Sequence, residues 1–294
     1  MQKLISVCLL FLFLINCPNV FGQYSDPDDA DRSRKRKIRA TVITLAALDI
    51  AALAILSEAW YKDQPRTSFH FFNDLPEWKQ ADKAGHILCS YQLSKAGIEV
   101  LRGWGVNDKK ANLWGSVTGF LLISQVELLD GFSSDYGASV SDLAANSIGS
   151  LLAFSQYALW DEPRFHIKYS FHRSGYASQR PEVLGSTLWE EILKDYNGQT
   201  FWLSVDVDKF LPETSNFPKW LNIGLGYSVE NIIMARDTQN PYRQYFLSID
   251  LDLTDIKTKS RVMKYLLFGI NMIHLPAPAL EFSKHGMKFH WLYF

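Results

Sequence analysis

The chain has 294 residues, a net charge of −1, and charged side chains at 21% of its positions. That length can bury one large core or two modest ones. So balanced a charge gives no long-range field toward a polyanion, which excludes nucleic acid as the expected partner. Aromatic residues make up 14% of the chain and gather in its C-terminal half.

Residues 1–22 read as an export signal. Lys3 supplies the positive start, Leu4 to Ile15 the apolar run, and Val20-Phe21-Gly22 a small-residue cleavage site before Gln23. A second reading makes Cys17 a lipidated N-terminus, although Asn16 stands where such a site takes Gly, Ala or Ser, and a third leaves the segment as an uncleaved anchor. A chain starting at Gln23 keeps Cys89 alone, so no intrachain disulfide is expected. On an apolar helix Cys89 reads as a small buried hydrophobe. Residues 23–37 form a linker of two charge blocks, Asp26 to Asp31 and then Arg32 to Lys37. Such blocks are solvated, and the basic one could also meet anionic headgroups.

Four apolar helical segments follow. Ile38 to Trp60 carries a single charge, Asp49, between Ala40 and Ser57 and is about long enough to cross a bilayer. Trp60 and Tyr61 give it an aromatic, interface-like end. Pro65 and Pro76 bracket a loop rich in Phe and Asp. A second helix starts near Asp82 and continues to about Leu101, made amphipathic by Lys95 and Glu99. A third covers Leu113 to Leu129 and is uncharged until Glu127. A fourth runs from Ser141, read as its N-cap, to Trp160, with Asp142 in the first turn where the helix dipole favours a carboxylate. Four such helices could form the core of a water-soluble bundle or a membrane bundle; the favoured expectation is a membrane-associated bundle of transmembrane helices with Asp49, Glu127, Asp142 and Asn146 facing inward. A cleaved leader would leave the Arg32–Arg39 cluster outside, against the positive-inside rule, so inner and outer membrane both stay open.

Beyond Pro163 the apolar period changes from 3.6 to 2. Phe165, Ile167, Tyr169 and Phe171 alternate with His166, Lys168, Ser170 and His172, and similar runs centre on residues 204, 225 and 249. These read as antiparallel strands with one wet and one dry face. A last hairpin joins Leu280–Phe282 to Phe289–Phe294 through Lys284-His285-Gly286. Helical pieces are expected around Ser186–Tyr196 and Ser260–Ile273. Phe294 resembles the terminal aromatic of an outer-membrane barrel, but the alternate positions before it are Leu292, His290 and Lys288, the wrong parity for closure. The fold class is therefore α+β, with a helical domain over 38–162 and an antiparallel β domain over 163–294.

Two polar clusters interrupt the greasy helices. Asp82 and His86 are four apart and share a helix face, as do Asp142 and Asn146; Gly85 and Gly149 permit close helix approach. Glu127 and Asp130 end the third helix. If the helices are neighbours, a His, several carboxylates and an amide converge. Three readings remain: a buried network of Asp82, Lys83, His86, Asp130, Asp142 and Asn146 that fixes helix register, acid–base chemistry by His86 with Asp82, Lys83 and Glu127, or a metal held by His86, Glu127 and Asp142. His70, His166 and His290 show no partner spacing and read as surface or strand positions.

Asp82-Lys83-Ala84-Gly85-His86, Glu127 through Asp130-Gly131, and Tyr136-Gly137-Ala138-Ser139 leading to Asp142, Asn146 and Gly149 resemble the YfiM-like family of predicted periplasmic lipoproteins. The core is also similar to VanZ-like membrane proteins. The resemblance covers roughly residues 58–160, and the β-rich extension looks like the longer members found in Bacteroidota. It implies an envelope location in a Gram-negative bacterium and singles out Asp82, Lys83, His86, Glu127, Asp142 and Asn146, but it brings no established reaction or cofactor. The expected protein is an exported, membrane-associated envelope protein that meets membrane lipid. The alternatives are an enzyme acting on a lipid or cell-wall precursor through His86, or an outer-membrane binding or transport module.

Overall fold

The computed structural model describes residues 65–236, 240–254, 256 and 258–294, with scattered helical positions between 32 and 54. The leader with Cys17, and most of the charged linker and of the Ile38–Trp60 segment, lie outside the described residues.

Three long helices form where the apolar runs lack Pro. They are α1 (Ala81–Gly103), α2 (Asp108–Asp130) and α3 (Val140–Leu159). The side chain of Asn107 caps α2, accepting from the amide of Lys109. The cap of α3 is Ser139 rather than the expected Ser141, with its hydroxyl accepting from the Asp142 amide at 3.0 Å. The middle of the bundle is α1, packed on both partners. Small residues set that packing distance: a Cβ on Gly149 of α3 would sit 2.3 Å from the Ile87 carbonyl of α1, and one on Gly119 of α2 would sit 2.4 Å from the Ser94 amide. Serines fill the seams, with Ser94 Oγ donating to Ser150 Oγ at 3.0 Å. Asp49, expected to face inward, has Gln125 Nε2 at 3.5 Å. Cys89 is free and buried, as expected.

Among the described residues no helix is long and apolar enough to cross a membrane, which corrects the expectation of transmembrane helices. The physical reason is visible in α2 and α3. The uncharged stretch of α2 is diluted by Ser116, Thr118, Ser124 and Gln125, and that of α3 by Asn146, Ser147, Ser150 and Gln156.

The α+β order holds. Six strands follow, β1 (Phe165–Phe171), β2 (Gln199–Val205), β3 (Leu221–Glu230), β4 (Tyr242–Leu251), β5 (Ala277–Ser283) and β6 (Gly286–Tyr293), each antiparallel to the next. Short helices α4 (Pro181–Leu184) and α5 (Leu188–Lys194) lie between β1 and β2, and α6 (Arg261–Ile270) between β4 and β5. The β5–β6 hairpin turns through Gly286 at φ +98°, a left-handed backbone that favours glycine.

The sheet inverts the expected wet and dry faces. His166, Lys168, Ser204, Asn222, Ser248 and Asp250, the polar positions of the alternation, are all buried. The opposite side is apolar and only partly covered. Ile167, Phe201 and Val229 pack with Leu88 and Tyr91 of α1 and Tyr157 of α3 into one core. Farther along the same side Ile223, Leu225, Tyr245, Leu247, Ile249, Phe282 and Phe289 are exposed, and Trp291 is 82% exposed. Curvature explains the burial. Thr200 Oγ1 on β2 lies 3.0 Å from Tyr293 OH on β6, four strands away, a span of about 19 Å in a flat sheet at ~4.8 Å per strand. The polar side is therefore the concave one. Trp202, Phe246, Ala279 and Tyr293 fill part of it, and the His274 ring stacks on Trp202 with centroids 3.8 Å apart.

Candidate polar centre in the helical bundle

The first turns of α1 and α3, the last turn of α2 and the loop before α1 meet at one point. Lys83 is its hub. Its Nζ lies 2.7 Å from Asp74 Oδ2, 2.8 Å from Asp82 Oδ2 and 2.8 Å from Asp142 Oδ1. Two hydroxyls complete the Asp74 carboxylate: Ser139 Oγ donates to its Oδ1 at 2.6 Å and Ser141 Oγ at 2.8 Å.

His86 stands one turn along α1 from Asp82. Its Nδ1–H donates to Asn146 Oδ1 at 3.0 Å, and the same amide is oriented by Asn146 Nδ2 donating to Ser124 Oγ at 3.3 Å. That leaves Nε2 as the lone-pair nitrogen. It faces Asp142 Oδ1 at 3.5 Å and Glu127 Oε1 at 3.8 Å. The other Glu127 oxygen accepts the Ser139 amide at 2.9 Å. Below this, Ser90 Oγ donates to the Asn146 carbonyl.

Burial dominates the protonation of this centre. It pushes the His86 imidazole well below its ordinary range, so the ring is neutral. Burial first, and then the neighbouring charge of Asp130, raises the Glu127 carboxyl. Burial followed by the charge of Glu127 raises Asp142, against the pull of Lys83. Asp82 is raised by burial too. Asp74 goes the other way: burial is outweighed by hydrogen bonds from Asp142, Lys83 and Ser139, which hold it below the usual carboxylate range. Lys83 loses to burial but gains more from Asp82 and Asp142, so it stays charged.

The structure brings Asp82, Lys83, His86, Glu127, Asp142 and Asn146 together. Asp130 lies half-buried one turn beyond Glu127 and acts on it through its charge. Ligand atoms of His86, Glu127 and Asp142 lie within 4.8 Å of one another, inside the ~8 Å that first-shell ligands with bonds near 2 Å can bridge. Asp74 and Ser124 escape sequence reasoning, in which Ser139 figures only within the motif and Ser141 only as a helix cap. Asp74 sits in a loop with no helical spacing to reveal its face, and serines at helix ends read first as caps.

A family model described as predicted periplasmic lipoprotein (DUF2279) matches residues 70–158, the stretch that holds every residue of this centre. The match supports a cell-envelope or periplasmic placement, with the side of the membrane left open. No curated protein and no solved structure matches the chain significantly.

Proposed function

We propose that the chain is an exported envelope protein of a Gram-negative cell that lies against membrane lipid, with the bundle locked in register by its buried polar centre. The inverted sheet is the observation that carries this reading. Charged and hydroxyl side chains line its concave side, while Leu225, Leu247, Ile249, Phe282 and Trp291 cover an outer side that no described residue of the chain buries. A contiguous bare patch of aliphatic and aromatic side chains marks an interaction surface, and polar-inside, apolar-outside strands are the arrangement that lipid contact selects. Helix α6 adds Val262, Met263, Leu266 and Ile270, also exposed, as expected of a helix lying in an interface. The motif likeness to YfiM-like and VanZ-like cores and to longer Bacteroidota members agrees with that setting.

The test is flotation with phosphatidylethanolamine–phosphatidylglycerol vesicles, using a chain begun at Gln23 so that no acyl group on Cys17 contributes. The unmodified chain floats, and the triple variant L225S/L247S/F282S stays at the bottom with an unchanged melting temperature. A chain that never floats ends the reading.

One observation favours a second reading, chemistry at His86. Its Nε2 lone pair faces two carboxyl groups whose protons burial retains, a pairing suited to proton transfer on a lipid or cell-wall precursor. H86Q then abolishes the cellular phenotype while folding persists; unchanged phenotype with reduced stability supports the locking role.

A further inference from the structure

The concave side of the sheet holds a second convergence, outside the residues matched by the family model. His166 projects from β1, Asp206 follows the end of β2, and Asp252 follows the end of β4. One ligand atom of each lies within 4.8 Å of the others, and all three residues are buried. Their side chains are 3%, 0% and 0% exposed. Burial this deep normally demands hydrogen bonds. Instead both ring nitrogens of His166, both carboxylate oxygens of Asp206 and Oδ2 of Asp252 lack a hydrogen-bond partner. Lys209 offsets one of these carboxylates by charge, which leaves a second buried carboxylate and an imidazole turned toward one another without a cation of their own.

We propose that His166, Asp206 and Asp252 form a divalent-metal site of the zinc class. His166 Nε2 lies 3.4 Å from Asp252 Oδ2. Tetrahedral coordination with zinc–nitrogen and zinc–oxygen bonds near 2.1 Å separates adjacent ligand atoms by about 3.4 Å. The other oxygen of Asp252 is already committed, accepting from the Thr254 amide at 2.8 Å and from Thr254 Oγ1 at 2.6 Å. That orients Oδ2 toward His166, as supporting hydrogen bonds orient metal-binding carboxylates.

The neighbouring ammonium groups leave room for an ion. Lys168 Nζ is held by Asp250 Oδ2 at 2.6 Å, the Leu251 carbonyl at 2.7 Å and Asn271 Oδ1 at 3.0 Å. Lys209 Nζ lies 2.9 Å from Asp206 Oδ2 and also donates to the Pro163 carbonyl at 3.0 Å. It neutralises one of the two carboxylates from the side, whereas Lys83 in the bundle sits among three. A cleft lies nearby. About 560 Å³ in volume, between the bundle and helix α6, it is lined by Lys95, Glu99, Tyr157, Pro163, Thr254 and Lys264. Two of those wall residues, Pro163 and Thr254, are the ones bonded to Lys209 and Asp252. Three protein ligands leave a coordination position for water, which zinc would make acidic.

Equilibrium dialysis of the full chain against Zn²⁺, with visible absorption of the Co²⁺-substituted protein, tests this. The unmodified chain retains zinc and shows an intense tetrahedral Co²⁺ band. D206N and D252N, isosteric changes monitored by circular dichroism, weaken zinc binding at least tenfold and abolish the band. H86Q leaves both unchanged. K209M removes the competing ammonium and tightens binding several-fold, an effect that a purely structural carboxylate cluster would not show. A chain that retains no zinc overturns the proposal. So does retention by D206N and D252N at the unmodified affinity, or a loss confined to H86Q, which would move the ion to the bundle.

Discussion

The bundle and the curled sheet both bury charge, and they solve the resulting problem differently. In the bundle one ammonium, Lys83, meets three carboxylates at 2.7–2.8 Å, and Ser139 and Ser141 complete Asp74, while Asp82 Oδ1 keeps no hydrogen-bond partner. In the sheet the charges are strung along alternate strand positions, and several acceptors near His166 stay without partners. The bundle therefore resembles a lock drawn in on one ammonium. The sheet has the chemistry of a container. Its fill is partly aromatic, Trp202, Phe246 and Tyr293, and partly ionic, while its outer surface has the polarity of an interior. The difference teaches that burial of polar groups is not one phenomenon: a helix crossing can converge them on a point, whereas a strand lays them out in rows that only curvature can close.

The sharpest way to break this comparison is to remove each hub. K83M leaves Asp74, Asp82 and Asp142 facing one another in a buried site, with an expected loss of about 3–5 kcal/mol in unfolding free energy. K168M unpairs one carboxylate, Asp250, and removes the donor to the Leu251 carbonyl and Asn271 Oδ1; with one carboxylate stranded instead of three it is expected to cost less, about 3 kcal/mol at the low end of a broken buried pair. Denaturant titrations of both variants check the order. Equal or negligible losses would show that the bundle centre is no lock.

Acid should separate the two regions as well. Burial lowers His166 and His274 to about 4, below the ordinary value near 6.5. The unfolded chain binds more protons between those values, so this contribution to stability is present above pH ~6.5 and is lost as pH falls toward ~4. Glu127 and Asp142 have raised values, with burial as the main cause. Their contribution is full below the ordinary carboxylate range and is lost as pH rises through the raised values. Hydrogen exchange on the metal-free chain should accordingly show β1 and β4 amides losing protection on acidification before those of α1 and α3. Simultaneous loss would contradict the separation.

A smaller effect refines the bundle side. S139A removes the α3 cap and one of the two hydroxyls on Asp74, for an expected loss of about 1–2 kcal/mol. S141A removes only the other hydroxyl and should cost less than S139A in the same thermal melts.

Much of the bundle can be read from the chain because its signals coincide. Asp82 and His86, like Asp142 and Asn146, recur at helical spacing inside apolar runs, and an ionisable group in such a run has few places to go but inward. Gly149 is legible for the same reason, as a small residue on that face. What escapes is whatever depends on the loop before α1, above all Asp74, whose role follows from where Pro76 and the turn Glu77–Gln80 aim the chain. The strands are equally legible as strands. Their facing is not, since a period of two says that the sides differ but not which one is inside. Of the two readings of His166, surface or strand, the strand holds and the surface fails: it is on β1 and buried. The helices mislead in one respect, because their hydropathy suggests a bilayer, while the serines and amides that stitch α1 to α2 and α3 leave no described helix apolar enough to span one.

The central claim is the facing of the sheet, and neighbouring positions on β4 test it most directly. Leu247 is exposed and Ser248 is buried, bonded to the Pro278 carbonyl at 2.9 Å. Nitroxide labels on L247C and S248C, measured in vesicles by power-saturation electron paramagnetic resonance, should differ. The L247C label relaxes with oxygen dissolved in lipid and ignores a water-soluble nickel chelate, while the S248C label is shielded from both. An L247C label that responds to the nickel chelate rather than to oxygen would contradict the account.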